Sequence, residues 1–160
     1  MPMVRRAAAS NLGKICEQNT ADTVKADLLP LFSRLVSDEQ DNVRPLAVKA
    51  AVVMAKILTK EDTQALLVGP LHASAKDRSW RVRYVVAENF VDFQAAMGPE
   101  LARTELAPML VRLLRDQEKE VRMAAVEQLP FVCKDMAKAD RLIVYTTNFC
   151  PYLNDLSQDT

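Results

Sequence analysis

Apolar residues recur along this chain at steps of three, four and four, and the pattern restarts at a fixed interval. Val4-Arg5, Val43-Arg44, Val82-Arg83 and Val121-Arg122 stand 39 residues apart. Three and four positions beyond each Val lie Ala7 and Ala8, Leu46 and Ala47, Val85 and Val86, and Ala124 and Ala125. Eight positions beyond stand Leu12, Ala51, Phe90 and Leu129, and eleven beyond stand Ile15, Met54, Phe93 and Val132. Those steps trace one stripe of an α-helix. The small residues near its start predict close approach to another helix. A repeat near 40 residues in a helix-forming sequence marks a solenoid of helix pairs. Each Val-Arg therefore opens the second helix, B, of a repeat.

The first helix, A, precedes it. Leu28, Leu29, Phe32, Leu35 and Val36 form one apolar stripe, and Met109, Leu110, Leu113 and Leu114 another. Pro30, Pro70, Pro108 and Pro151 recur inside these segments. Proline lacks the N–H that a helix interior needs, so each predicts a built-in bend. Asp38, Asp77 and Asp116 each lie five residues before a Val, at the end of helix A or in the turn. There a carboxylate can cap the start of helix B.

This order of Pro, Leu-rich stretch, Asp and Val-Arg resembles the HEAT repeat. Longer runs are more specific. Met3-Val4-Arg5-Arg6-Ala7-Ala8-Ala9-Ser10, Ser37-Asp38-Glu39-Gln40-Asp41-Asn42-Val43-Arg44 and Asp77-Arg78-Ser79-Trp80-Arg81-Val82-Arg83-Tyr84 resemble consecutive repeats of the scaffolding (A) subunits of protein phosphatase 2A. The expected fold is an all-α solenoid of antiparallel helix pairs. Its expected divisions are a lone helix B over 1–18, complete repeats over 24–58, 62–97 and 100–136, and a lone helix A over 139–160. The apolar residues at both ends lead us to expect a segment of a longer scaffold, since natural solenoids end in polar caps.

Composition narrows the function. Hydrophobic residues make up 49% of the chain, enough for a sizeable core in 160 residues. Gly is scarce, at three, which fits helices better than β-turns. Acidic and basic residues balance at 21 each, so no basic excess calls for nucleic acid or anionic lipid. No apolar run approaches the roughly 20 residues of a membrane span. Gly13, Gly69 and Gly98 are isolated, so no phosphate-cradling loop is present. Ser79 has no nearby His to activate it. Glu61-Asp62 reads as a helix start, where negative charge meets the helix dipole. Cys16 and Cys133 share one repeat position, which favours packing. Cys150 and His72 have no companions at metal-ligand spacing. No catalytic residue, cofactor or metal is expected, and the chain is read as no enzyme.

Trp80 is the only tryptophan. Its repeat equivalents are Pro2, Asp41 and Lys119, which are turn or surface types, so the position is expected to be exposed at the A–B turn. One reading folds it over Tyr84 or a neighbouring turn. The other makes it a binding anchor, as tryptophan and arginine often are. Stacking would align Pro2-Met3, Gln40-Asp41, Ser79-Trp80 and Glu118-Lys119 as one ridge. In the phosphatase scaffold family such turns bind regulatory (B) subunits in one half and the catalytic (C) subunit in the other. The resemblance places Pro2, Arg5 and Arg6, Asp41, and Ser79 and Trp80 among the regulatory-binding turns; the catalytic subunit would bind repeats beyond this chain. It assigns Arg78 and His72 no role, and implies a cytoplasmic protein, with the nucleus as a second compartment. The registered arginines Arg5, Arg44, Arg83 and Arg122 are expected to pair with Asp38, Asp77 and Asp116 of their own or the adjacent repeat. Arg6 and Arg81 break the repeat, as contact residues would. The alternative is a HEAT adaptor of nuclear transport or the cytoskeleton that reads peptides or proteins on its concave face.

Overall fold

The computed structural model describes residues 2–134, and every regular element among them is helical. The expected helix A over 139–160 and Cys150 lie outside the described residues. Helix α1 spans Pro2–Glu17. The first complete repeat comes next: a short α2 (Ala21–Thr23), a π turn over Val24–Leu28, α3 (Leu29–Val36), then α4 (Arg44–Ile57). The second comprises α5 (Lys60–Leu66), α6 (Val68–Ser74), α7 (Trp80–Glu88) and α8 (Phe90–Met97). The third has α9 (Pro99–Leu101), a π turn over Ala102–Leu106, α10 (Ala107–Leu114) and α11 (Lys119–Lys134). The B helices α1, α4, α7 and α11 pack in succession, each against the next, and α3, α6 and α10 pack against their own B partners.

The helix is irregular just before each of the described prolines Pro30, Pro70 and Pro108, and Pro151 lies outside the described residues. Pro30 and Pro108 each come just after a five-residue π turn. There the Leu29 N–H bonds the Val24 carbonyl and the Ala107 N–H bonds the Ala102 carbonyl, five residues back. Widening the helix by one residue removes the clash of the proline ring with the preceding turn. Before Pro70 the helix instead breaks at Leu67, between α5 and α6. Helix B of the second repeat is also interrupted, which the periodicity does not foretell. At Asn89 the side-chain amide donates to the Val85 carbonyl at 2.8 Å, competing with the helical ladder. Gly98, at φ +83°, turns the chain into the third repeat in a conformation that a side chain would strain. Thr59 caps α5 by accepting the Asp62 N–H at 3.1 Å, so Glu61-Asp62 does open a helix.

The stripe forms one core running the length of the array. Leu12, Ala51, Phe90 and Leu129 are all buried, as are Val43, Val82, Val121, Met54, Phe93 and Val132. The first copy departs from this. Val4 is 63% exposed, Ile15 is 40% exposed and Ala7 is exposed. In α1 the buried face is Ala9, Leu12 and Cys16, the face turned to α4. Position in a repeat fixes which way a residue points; burial also needs the neighbour.

Between repeats runs a ladder of arginines. Arg5 Nε meets Asp38 at 2.6 Å, Arg44 meets Asp77 through two bonds of 2.8 Å, and Arg83 meets Asp116 at 2.6 and 2.8 Å. Each partner lies 33 residues on, in the next repeat. The third nitrogen looks back to its own turn: Arg44 Nη1 donates to the Asp38 carbonyl at 2.9 Å, Arg83 Nη1 to that of Asp77 at 2.7 Å and Arg122 Nη1 to that of Asp116 at 2.7 Å. Each aspartate also accepts the N–H two residues on, from Gln40, Ser79 and Glu118. The expected capping and pairing are thus one network for Arg5, Arg44 and Arg83, whereas Arg122 meets the carbonyls of Asp116 and Gln117 and none of the three expected carboxylates. Outside it, Lys25–Asp62 at 3.0 Å, Lys49–Glu88 at 3.6 Å and His72–Glu105 at 3.1 Å also join successive repeats.

Burial decides which pairs matter. The Arg44 and Asp77 side chains are 6% and 14% exposed, whereas Lys49 and Glu88 are 54% and 43% exposed. Arg44→Ala strands a carboxylate and two carbonyls, and should cost about 3 kcal/mol or more in urea denaturation. Lys49→Ala should cost under about 0.5 kcal/mol in the same assay.

The ladder also sets acid stability. Burial of Asp38 and Asp116 works toward their neutral forms. It is outweighed in Asp38 by the Gln40 N–H and Arg5, and in Asp116 by Arg83 and the Glu118 N–H, so both carboxyls sit below the usual range. A folded pKa below the unfolded one stabilises fully above the unfolded value, and the gain disappears as pH falls through the folded one. The thermal midpoint should therefore hold from pH 8 to about 5 and fall below about 4. Asp116→Asn should lower the midpoint at neutral pH and flatten that acid slope.

Candidate functional site

The A–B turns lie where the ladder ties successive repeats together. In the second repeat Asp77 caps the turn, its Oδ1 accepting the Ser79 N–H at 2.8 Å. Ser79 occupies the N-cap position of α7 with no side-chain cap bond of its own. Its hydroxyl instead reaches the preceding turn and meets Asp41 Oδ2 at 3.2 Å. Arg81 Nη1 stands 3.8 Å from the same oxygen. The Arg81 guanidinium also lies 5.0 Å from the centre of the Trp80 ring, within cation–π range. Asp41, Ser79, Trp80 and Arg81 are therefore one linked group spanning two turns. They border a cleft of about 450 Å3.

Trp80 is half-buried, where the repeat alignment leads to an exposed residue. It packs edge-on against Tyr84, with ring centres 6.3 Å apart and planes at 83°, and rests on the core. The alignment fails here because Pro2, Asp41 and Lys119 carry no ring able to reach the helix below. One face of Trp80 serves the fold, while its rim lines the cleft.

The other site residues sit differently. Pro2 and Arg6 are exposed on α1. Arg5 is committed to the ladder, held by Asp38 and by Glu39 at 2.9 Å. The structure thus gathers Asp41, Ser79 and Trp80 and leaves Pro2 and Arg6 on α1. Sequence reasoning missed the link from Ser79 to Asp41. Its signal was a serine two residues after an aspartate, about one period on from Asp41.

Elsewhere little chemistry is assembled. Cys16 and Cys133 are buried, and burial pushes the Cys16 thiol up to about 11. Among the described residues no cluster of His, Cys, Asp and Glu suits a metal ion, and no helix is long and apolar enough to cross a membrane. Iodoacetamide at neutral pH should spare Cys16 in the native protein and label it in urea, as peptide mass mapping would read.

Stacked helix pairs with paired prolines, buried stripes and an arginine–aspartate ladder define an α-solenoid of the HEAT type. Comparison with known proteins agrees. Residues 99–158 match the PPP2R1A-like HEAT repeat family. Over 65% of its length the chain is 39% identical to the regulatory A subunit of protein phosphatase PP2A from Schizosaccharomyces pombe. Over 44% it is 43% identical to the beta isoform of the human 65 kDa regulatory A subunit of serine/threonine-protein phosphatase 2A. It spans 18% and 12% of those relatives' lengths. The structure of Cex1p superimposes with a TM-score of 0.68 over 98% of this chain and 33% of that one, at 16% identity, a likeness of fold. The HEAT repeats of this chain are thus similar to those of the scaffolding component of phosphatase 2A, as the residue runs led us to expect.

Proposed function

We propose that the chain is a non-catalytic scaffold segment of a protein phosphatase 2A assembly and that its A–B turns bind a regulatory B subunit. The observation that carries this reading is the linked group Asp41–Ser79–Trp80, held on a row whose spacing the ladder fixes. The likeness to the regulatory A subunits of PP2A supports it. The catalytic subunit would bind repeats outside this chain, so curvature of the array would set the distance between the two bound proteins. Pro2 and Arg6 extend the contact along α1. Arg5 contributes by holding the Asp38 turn in place more than by direct contact, since its guanidinium is already shared between Asp38 and Glu39.

Trp80→Ala should weaken regulatory-subunit binding at least about tenfold, or ~1.4 kcal/mol, in a pulldown titration, with the helical circular dichroism spectrum unchanged. Unaltered affinity would remove the turn row from consideration as the binding surface.

A further inference from the structure

Trp80 is held from two sides, and the two holds differ in kind. The Arg81 guanidinium stands 5.0 Å from the centre of its ring, but the Arg81 side chain is 62% exposed. An exposed cation over an aromatic face is a weak restraint, since water competes for the charge. Tyr84 stands against the indole at 83°, with ring centres 6.3 Å apart, and packs on the hydrophobic core. The two rings lie four residues apart in α7, on one face of the helix. A ring seated on a close-packed core has little room to turn, so it restrains what leans on it.

Of the four registered turns, this one alone carries such a pair. The residues equivalent to Trp80 are Pro2, Asp41 and Lys119, and those equivalent to Tyr84 are Arg6, Pro45 and Met123. Tyr84 is not among the described residues that border the cleft between this turn and that of Asp41, whereas Trp80 and Arg81 are. Its place in the fold lets it act on the cleft through the indole, without touching what occupies it.

We propose that Tyr84 is a positioning residue for partner binding: it sets the indole of Trp80 in the orientation that presents its rim to the cleft. The inference rests on the reading of the turn row as a protein-binding surface, and adds to it a residue that the partner need not touch. An indole without this support would sample other rotamers in the free protein and lose that freedom on docking. An edge-on aromatic pair has a preferred geometry that an aliphatic side chain of similar bulk does not supply. Tyr84→Leu therefore keeps apolar cover over the core and removes the restraint. Tyr84→Phe keeps the ring and gives up only the hydroxyl.

The test uses the full chain, in which Trp80 is the only tryptophan. Time-resolved fluorescence anisotropy of the free protein reads the freedom of the indole directly. Tyr84→Leu should add a fast depolarising component, and Tyr84→Phe should not. Affinity is then read by titration of a fluorescently labelled, purified regulatory B subunit of phosphatase 2A. Tyr84→Leu should weaken binding about threefold to tenfold, and Tyr84→Phe should stay within about twofold. Tyr84→Leu combined with Trp80→Ala should bind as Trp80→Ala alone does. That comparison separates positioning from a general loss of stability, which would weaken binding in either background. Suppose Trp80→Ala weakens the complex. If Tyr84→Leu then leaves the indole mobility or the affinity unchanged, if Tyr84→Phe is as harmful, or if the two substitutions add, the assignment of Tyr84 is wrong and the turn row stands. If Trp80→Ala binds as the parent does, both readings fall.

Discussion

The arrangement depends on one contact made over and over: an arginine at the start of helix B reaching an aspartate 33 residues on. The guanidinium can do this because its planar fork offers two parallel donors to a carboxylate and still leaves a third nitrogen. That third nitrogen closes on the carbonyls of its own turn. One side chain therefore senses the geometry of two repeats at once. Lysine, a point charge, would hold neither the angle nor the turn. The magnitudes indicate what the ladder is for. A buried pair gains little over well-packed apolar groups but costs heavily when one partner is missing. Its contribution is thus a penalty on wrong register more than a surplus of stability, and register is what apolar packing of Ala, Val and Leu leaves loosely defined.

Helix A meets a second constraint. Pro30 and Pro108 sit where an α-helix would demand an N–H, and the chain answers with a π turn just before each. The carbonyls of Val24 and Ala102 are satisfied five residues on by Leu29 and Ala107. Pro70 reaches a similar end by a break at Leu67, next to Gly69. Nearly equal spacing in sequence thus has two structural solutions, and only coordinates distinguish them.

The 39-residue period carries the helix pairs, the stripe, the ladder partners and the bends, because each of these repeats and repetition is visible in a single sequence. Features that occur once were harder to read. Val4 and Ile15 obey the stripe and are nevertheless exposed, since burial belongs to a pair of surfaces and α1 buries its Ala9, Leu12 and Cys16 side against the first complete repeat. The break at Asn89 comes from one amide choosing one carbonyl. Trp80 was placed by its neighbours in the alignment, yet its ring reaches Tyr84, a contact that none of those neighbours could make. The Ser79–Asp41 bond joins residues 38 apart, near enough to the period to follow from it, but only after Asp77 is known to take the Ser79 N–H.

That last division of labour explains why this row suits recognition. A turn that feeds a helix must satisfy exposed N–H groups, and most turns use their serine or aspartate side chains for it. Here the ladder aspartates hold the turn just before the helix, accepting from Gln40, Ser79 and Glu118. Around that turn Ser79 and Asp41 join each other, Arg81 stacks on Trp80, and Arg78 is exposed. Groups so placed are already ordered, so a partner that docks on them loses less side-chain entropy than it would on a mobile loop. Rigidity beneath and unspent polar capacity above come from the same three carboxylates. A change that spares the turn residues but removes an aspartate of the ladder would therefore loosen the surface without touching it.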